Sequence, residues 1–246
     1  MKKAGIIIVE LLLVALAFGV LYTRGVGLKE SEETAVDIGQ RIISDLPEPP
    51  VIEFSSVPKD KDEWYLMLIN PWNSIPDGYV EGLDLSYIEG YRVDERVREH
   101  LEEMLVACRD AGHRVQLVSV FRTHAYQAQL YNNAANKMYS AYPGTSEHEC
   151  GFAADIIDSD SAGWGDPLID AQEDMPAQKW LMEHCQDYGF ILRFPKDKVE
   201  ITGILYEPWH YRYVGKEHAA KIMESGQCLE EYLERLDYEE KERIGS

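Results

Sequence analysis

Two short segments constrain this chain more than any other part of it. Gly144 to Asp158 reads GTSEHECGFAADIID, and Ile204 to Gly215 reads ILYEPWHYRYVG. The first sets His148 and Asp155 seven residues apart, with Gly151 between them to let the backbone turn and Ala153 and Ala154 adding little bulk. The second adds Glu207 and His210. Two imidazoles, one carboxylate able to bind a metal and a second able to act as a base are the parts of a catalytic zinc site. Such a site needs three protein ligands, one open position and a proton acceptor beside it.

Pro208 decides which kind of site this can be. A site of the H-E-x-x-H type needs its residues on one helical face, whereas proline biases the residue before it toward extended geometry. Glu207 and His210 are therefore expected at a turn or strand start. Tyr211 to Val214 follow as a β-strand, aromatic and β-branched, ended by Gly215.

These residues carry a family resemblance. The pattern S-x-H-x-x-G-x-A-x-D fits Ser146, His148, Gly151, Ala153 and Asp155, and E-P-W-H-x-R-Y-V-G runs from Glu207 to Gly215. Upstream, S-x-x-R-T-x-x-x-Q fits Ser119, Arg122 and Gln127. Together they resemble the VanY-type D-alanyl-D-alanine carboxypeptidases, part of a wider metallopeptidase group that includes lysostaphin-like enzymes and the hedgehog signalling domain. The resemblance runs from about Trp64 to about Leu233. It implies one zinc per chain, held by His148, Asp155 and His210, with Glu207 as the base that activates the attacking water. It also implies that Arg122 faces the substrate carbonyl or carboxylate, with Ser146, Gln127 and Trp209 as further candidates for lining the cleft. Cys150 and Phe121 depart from the usual pattern without touching a ligand position.

The implied substrate is a peptidoglycan stem peptide that loses its C-terminal D-amino acid. Two other readings stand beside it. One is the same chemistry with a different cut, an L,D-carboxypeptidase or a cross-link endopeptidase, because pocket shape sets that choice. The other is a non-catalytic module that binds wall peptide, against which Glu207 argues, since a closed structural zinc site needs no adjacent base.

Composition narrows the partners. A formal charge of −20 over 246 residues, with no cluster of Lys and Arg, excludes nucleic acid as a partner. Residues 1–24 break the acidic pattern: Lys2 and Lys3 precede a run from Ala4 to Tyr22 that is apolar except for Glu10 and two glycines. Its length is nearer the roughly 20 residues of a spanning helix than a signal-peptide core. The segment reads as a signal-anchor that holds the catalytic domain outside the membrane, facing the cell wall. Cleavage after Ala15-Leu16-Ala17 is the alternative, giving a secreted protein. Residues 25–63 read as an acidic, proline-bearing linker, 64–233 as the catalytic domain and 234–246 as a charged tail.

Within the domain, Trp64 to Ile69 has the pattern of a buried strand. Asp94 can cap a helix to about Ala111, with Val97, Leu101, Met104, Leu105 and Cys108 as its buried stripe. Val115 to Phe121 reads as a strand, His124 to Met138 as a helix, Asp158 to Asp174 as a loop and Ala177 to Tyr188 as a helix. Phe190 to Arg193 begins another strand, and a last helix covers Gly215 to Ser225. Leu229, Tyr232, Leu233 and Leu236 form a short helical stripe after which the chain is expected to fray. The expected fold is α+β, a small, mostly antiparallel sheet with helices packed around it and the zinc at the sheet's open end. Four widely spaced cysteines, Cys108, Cys150, Cys185 and Cys228, leave disulfides and buried thiols equally open.

Overall fold

A computed structural model describes residues 61–135 and 137–245. The segment 1–24, and the linker as far as residue 60, lie outside the described residues. Among the described residues no helix is long and apolar enough to cross a membrane.

In chain order the strands are β1 (Leu85–Ile88), β2 (Tyr91–Asp94), β3 (Val115–Ser119), β4 (Ala153–Asp158), β5 (Phe190–Leu192) and β6 (His210–Tyr213). The helices are α1 (Glu95–Asp110), α2 (His124–Asn133), α3 (Pro176–His184), the single turn α4 (Val199–Thr202), α5 (Lys216–Ser225) and α6 (Leu229–Gly245). The expected α+β architecture is what forms. β1 and β2 make a hairpin, and the other four strands make one antiparallel sheet in the order β3-β4-β6-β5.

Strand alternation sorts the side chains of that sheet onto two faces. Leu117, Ala154, Ile156, Tyr211 and Tyr213 belong to the main apolar core with Val97, Leu101, Met104 and Leu105 of α1 and Leu181 of α3. The residues between them, Asp155 on β4 and His210 and Arg212 on β6, face the other side. Register then aligns the ionic groups: Ser119 lies opposite Asp155, and Asp155 lies opposite His210. One step further across, the Arg193 amide donates to the His210 carbonyl at 3.2 Å. A second apolar cluster, with Ile191, Val214, Ile222, Leu229, Tyr232 and Leu233, docks α5 and the start of α6 on the β5 edge.

The Asp94 carboxylate caps α1 by accepting from the Arg96 amide at 2.9 Å, and the expected stripe on that helix is buried. Three expectations are corrected. Trp64 to Ile69 is not a strand: Lys61–Leu66 is 3-10 helix and the chain beyond it is irregular. Its carbonyls are taken by buried arginines instead of a strand neighbour, Tyr65 and Met67 by Arg212 at 2.9 and 2.8 Å and Ile69 by Arg193 at 3.4 Å. The helix from His124 stops at Asn133, short of Met138, where the Lys137 ammonium takes the carbonyls of Tyr131 and Asn132. The C-terminal helix does not fray after Leu236 but continues to Gly245. The four cysteines are all free and buried.

Candidate active site

The turn Glu147–Cys150 and the start of β4 deliver the first half of the site. Gly151 closes that turn at φ 74°, a left-handed conformation that costs glycine nothing, and its carbonyl accepts from the Asp94 amide at 3.0 Å. Behind the turn, the Glu149 carboxylate accepts from the Gly144 amide at 2.7 Å and meets His124 Nδ1 at 2.8 Å, pinning the loop. The second half comes from a β-turn in which the His210 amide donates to the Glu207 carbonyl at 3.1 Å, with Pro208 after the first residue to preset the backbone. Glu207 and His210 therefore stand at the entrance of β6, as Pro208 led us to expect.

The two halves meet in a buried cluster. His148, Asp155 and His210 are each under 5% exposed, and they present ligand atoms that all lie within 4.8 Å of one another. His148 Nε2 is 3.2 Å from Asp155 Oδ2, and His210 Nδ1 is 3.1 Å from Asp155 Oδ1. Each imidazole has its outer nitrogen occupied: His148 Nδ1 donates to the Val120 carbonyl at 2.6 Å, and His210 Nε2 donates to Glu147 Oε2 at 3.2 Å. This leaves one nitrogen of each ring turned toward Asp155, the arrangement a cation-binding triad requires. Among the described residues the other five histidines belong to no such cluster.

Electrostatics separates the members. Burial, helped by the Arg122 charge, lowers the His148 imidazole to about 4. Burial also disfavours a charge on His210, but its hydrogen bonds to Asp155 and Glu147 outweigh this and raise it to about 9 in the metal-free protein. Burial works against the Asp155 carboxylate too, yet the two imidazoles and Arg122 hold it well below the usual range. Glu207 behaves in the opposite way: burial pushes its carboxyl up to about 8, with His210 opposing the shift and Asp155 reinforcing it. It is 3.6 Å from His210 Nδ1 and lies outside the triad.

A cavity of about 710 Å³ opens onto this cluster, lined by Arg122, Ser146, Glu207 and Trp209 together with the triad. Arg122 is far from being an isolated surface cation. It donates from Nε to Ser119 Oγ at 2.8 Å, from Nη1 to Gln127 Oε1 at 3.3 Å and from Nη2 to Asp155 Oδ2 at 2.6 Å. Gln127 is not on the cavity wall; buried on α2, it steadies Arg122 and donates to the Ala141 carbonyl at 2.8 Å. Farther out, the wall is made by Tyr139, Leu168, Ile169 and Ala171. Asp158, at the end of β4, takes no part: its carboxylate accepts from the amides of Asp160 and Ala177.

Sequence reasoning missed the residues behind the triad. Glu147 Oε1 accepts from Arg193 Nε at 2.7 Å and from Arg212 Nη1 at 2.6 Å, while Arg193 also makes a two-pronged pair with Glu230 at 3.0 and 2.6 Å. Both arginines are fully buried. The signal was a lone arginine within each of the apolar runs FILRF and HYRYV, because a buried charge demands a partner.

The chain is similar to known proteins in both sequence and fold. A family model described as D-alanyl-D-alanine carboxypeptidase, VanY, matches residues 90–216. A D-alanyl-D-alanine carboxypeptidase of Enterococcus faecalis is 38% identical over 208 residues, which is 78% of this chain and 74% of that protein. The crystal structure of a mutant of the vancomycin resistance D,D-pentapeptidase VanY, from a VanB-type resistance cassette and in complex with Zn(II), superposes with a TM-score of 0.61. It is 37% identical and covers 70% of this chain and 99% of that one. The structure of the LD-carboxypeptidase LdcB matches with a TM-score of 0.60 and 32% identity, over 70% of this chain and 86% of that one. With a family model matched from the hairpin to the end of β6, and a relative aligned over most of both chains, the chain belongs to the VanY family of D-alanyl-D-alanine carboxypeptidases.

Proposed function

We propose that this protein is a zinc-dependent carboxypeptidase that removes the C-terminal D-alanine from peptidoglycan stem peptides. The observation that carries the reading is Glu207. It is a cavity-lining carboxyl beside the His148, Asp155 and His210 triad but outside it, with its proton affinity raised by burial to about 8. A purely structural metal site has no use for such a group.

Two imidazole nitrogens and one carboxylate, with their outer atoms already hydrogen-bonded, fit zinc in the manner of a catalytic three-ligand site. When bound, zinc supplies Lewis acidity that polarises the scissile carbonyl and makes water acidic. The chain's own residues do the rest. Glu207, on the cavity wall beside the triad but outside it, is placed to accept the proton of the attacking water and pass it to the departing amine. Arg122, braced by Ser119, Gln127 and Asp155, offers its cation to the substrate carbonyl or carboxylate, with Ser146 and Trp209 beside it. Buried walls around the triad keep bulk water from competing with these contacts.

Action on cell-wall peptide is extracytoplasmic. The signal-anchor reading of residues 1–24, with a linker to residue 63 and a catalytic domain over 64–233, would tether the enzyme to the membrane while it faces the wall. A different cut is favoured by one finding, the similarity to an LD-carboxypeptidase at nearly the same TM-score. Defined muropeptides decide between them. A pentapeptide ending in D-Ala-D-Ala should be shortened by one residue faster than a tetrapeptide or a cross-linked dimer is cut; preference for the tetrapeptide would shift the assignment to L,D-cleavage, and no turnover of any would remove the enzymatic reading.

A further inference from the structure

We infer that Glu147 is the positioning residue for His210, and that the buried Arg193 and Arg212 serve to fix that carboxylate in place and aim it. The inference rests on His210 being a zinc ligand, as proposed above. The two imidazole nitrogens point in opposite directions. Nδ1 of His210 faces Asp155 Oδ1 at 3.1 Å and Glu207 Oε2 at 3.6 Å, so it is the nitrogen on the metal side. Nε2 faces Glu147 Oε2 at 3.2 Å. Glu147 is therefore behind the ring and cannot share the metal that Nδ1 would bind. What it does is hold the proton on Nε2, which leaves the Nδ1 lone pair free and fixes the plane of the ring.

The division of labour within the Glu147 carboxylate supports this. Oε1 is occupied by two guanidinium groups, from Arg193 at 2.7 Å and Arg212 at 2.6 Å, and Oε2 is left for the imidazole. Arg212 is itself fixed, donating to the carbonyls of Tyr65, Met67 and Tyr213. Arg193 is fixed by Glu230 on α6, whose Oε1 also accepts from Asn70 at 3.1 Å. Two buried cations thus face two buried carboxylates, and only one of those carboxylates reaches a triad residue. His148 solves the same problem with a main-chain carbonyl. His210 instead has an anion behind it, which makes its imidazole the stronger donor to a cation.

The arrangement separates a positioning role from a merely structural one, because Glu147 and Glu230 belong to the same ionic network but only Glu147 touches His210. In the full-length protein, zinc affinity would be measured by competition with a chromophoric chelator, and thermal stability in the metal-free state, for Glu147→Gln, Glu147→Asp and Glu230→Gln. Glu147→Gln should weaken zinc binding by about 10–100-fold, the usual effect of losing an outer partner of a metal-bound histidine. Glu147→Asp keeps the charge the arginines need but withdraws from His210, so it should fold and still lose zinc affinity. Glu230→Gln should lower the melting temperature while leaving zinc affinity within about twofold. Wild-type affinity in both Glu147 variants would overturn the inference, as would affinity losses that follow melting temperature equally at Glu147 and Glu230. Failure of both Glu147 variants to fold would also overturn it, by showing the carboxylate to be a structural counter-ion. A wild-type protein that binds no zinc would instead sink the proposed function itself.

Discussion

Burial raises the proton affinity of both Glu207 and Asp155, and the two carboxyls differ in how far their neighbours offset it. Glu207 is raised to about 8 because its desolvation is only partly offset by His210 and Arg122, whereas Asp155 is held low by two imidazoles and Arg122. Glu207→Gln should therefore keep fold and zinc while turnover falls by about 10²–10⁴-fold, because the amide keeps the shape but cannot accept the proton. Zinc content and initial rate measured on one preparation check this, and loss of zinc or full activity would show the base to be another residue. Arg122→Lys should cut turnover more than stability. One ammonium cannot reach Ser119, Gln127 and Asp155 together as the guanidinium does, so near-normal kinetics in that variant would place substrate recognition elsewhere. At this scale the sequence pointed to residues that the fold does bring together, His148, Asp155 and His210 in one cluster with Glu207 on the cavity wall beside them. It hid Glu147, which stands between Ser146 and His148 as one more acid in an acidic chain. It hid Gln127's true place as well, because nothing in a helix's sequence shows that a neighbouring arginine will use its amide.

The elements that carry the site were legible where backbone chemistry dictates them. Pro208 set a turn before β6 and Asp94 capped α1, whereas β4, which carries Asp155 opposite His210, was not read as a strand. The strand expected at Trp64 to Ile69 failed for a reason no local pattern contains. Apolar side chains did bury it, but its carbonyls serve arginines more than a hundred residues away. The β1–β2 hairpin was passed over although Glu89 and Gly90, at φ 47° and 87°, form a tight turn of the kind that joins two strands. One element-scale prediction follows from the turn that joins His148 to β4. A Cβ on Gly151 would meet the Asp94 amide nitrogen at 2.9 Å in a left-handed backbone. Gly151→Ala should lose about 1–2 kcal/mol from the backbone conformation alone, and more from the displaced contact. Because His148 and Asp155 flank the turn, zinc affinity should fall along with the denaturation midpoint; an unchanged midpoint would show that the hairpin gives way without cost.

At the scale of the whole molecule, two apolar clusters and one ionic network hold the cavity open at a fixed place. The main cluster sits beneath the sheet, and the second fastens α5 and α6 to the β5 edge. The ionic network ties α6, through Glu230 and Arg193, to the carboxylate behind His210. The α+β class was readable from the mixture of strand and helix patterns without regular alternation. The contribution of α6 was only half readable: Leu229, Tyr232 and Leu233 announce a docking face, whereas Glu230, 4% exposed, looks in sequence like another solvated acid. The claim on which the rest depends is that this assembly hydrolyses stem peptide with a metal held by His148, Asp155 and His210. Stripping the folded protein with a chelator and then adding back zinc, while following D-alanine release from a defined pentapeptide, tests it most directly. Release should stop on chelation and return with about one zinc per chain, and a demonstrably metal-free protein that still released D-alanine at the untreated rate would contradict it.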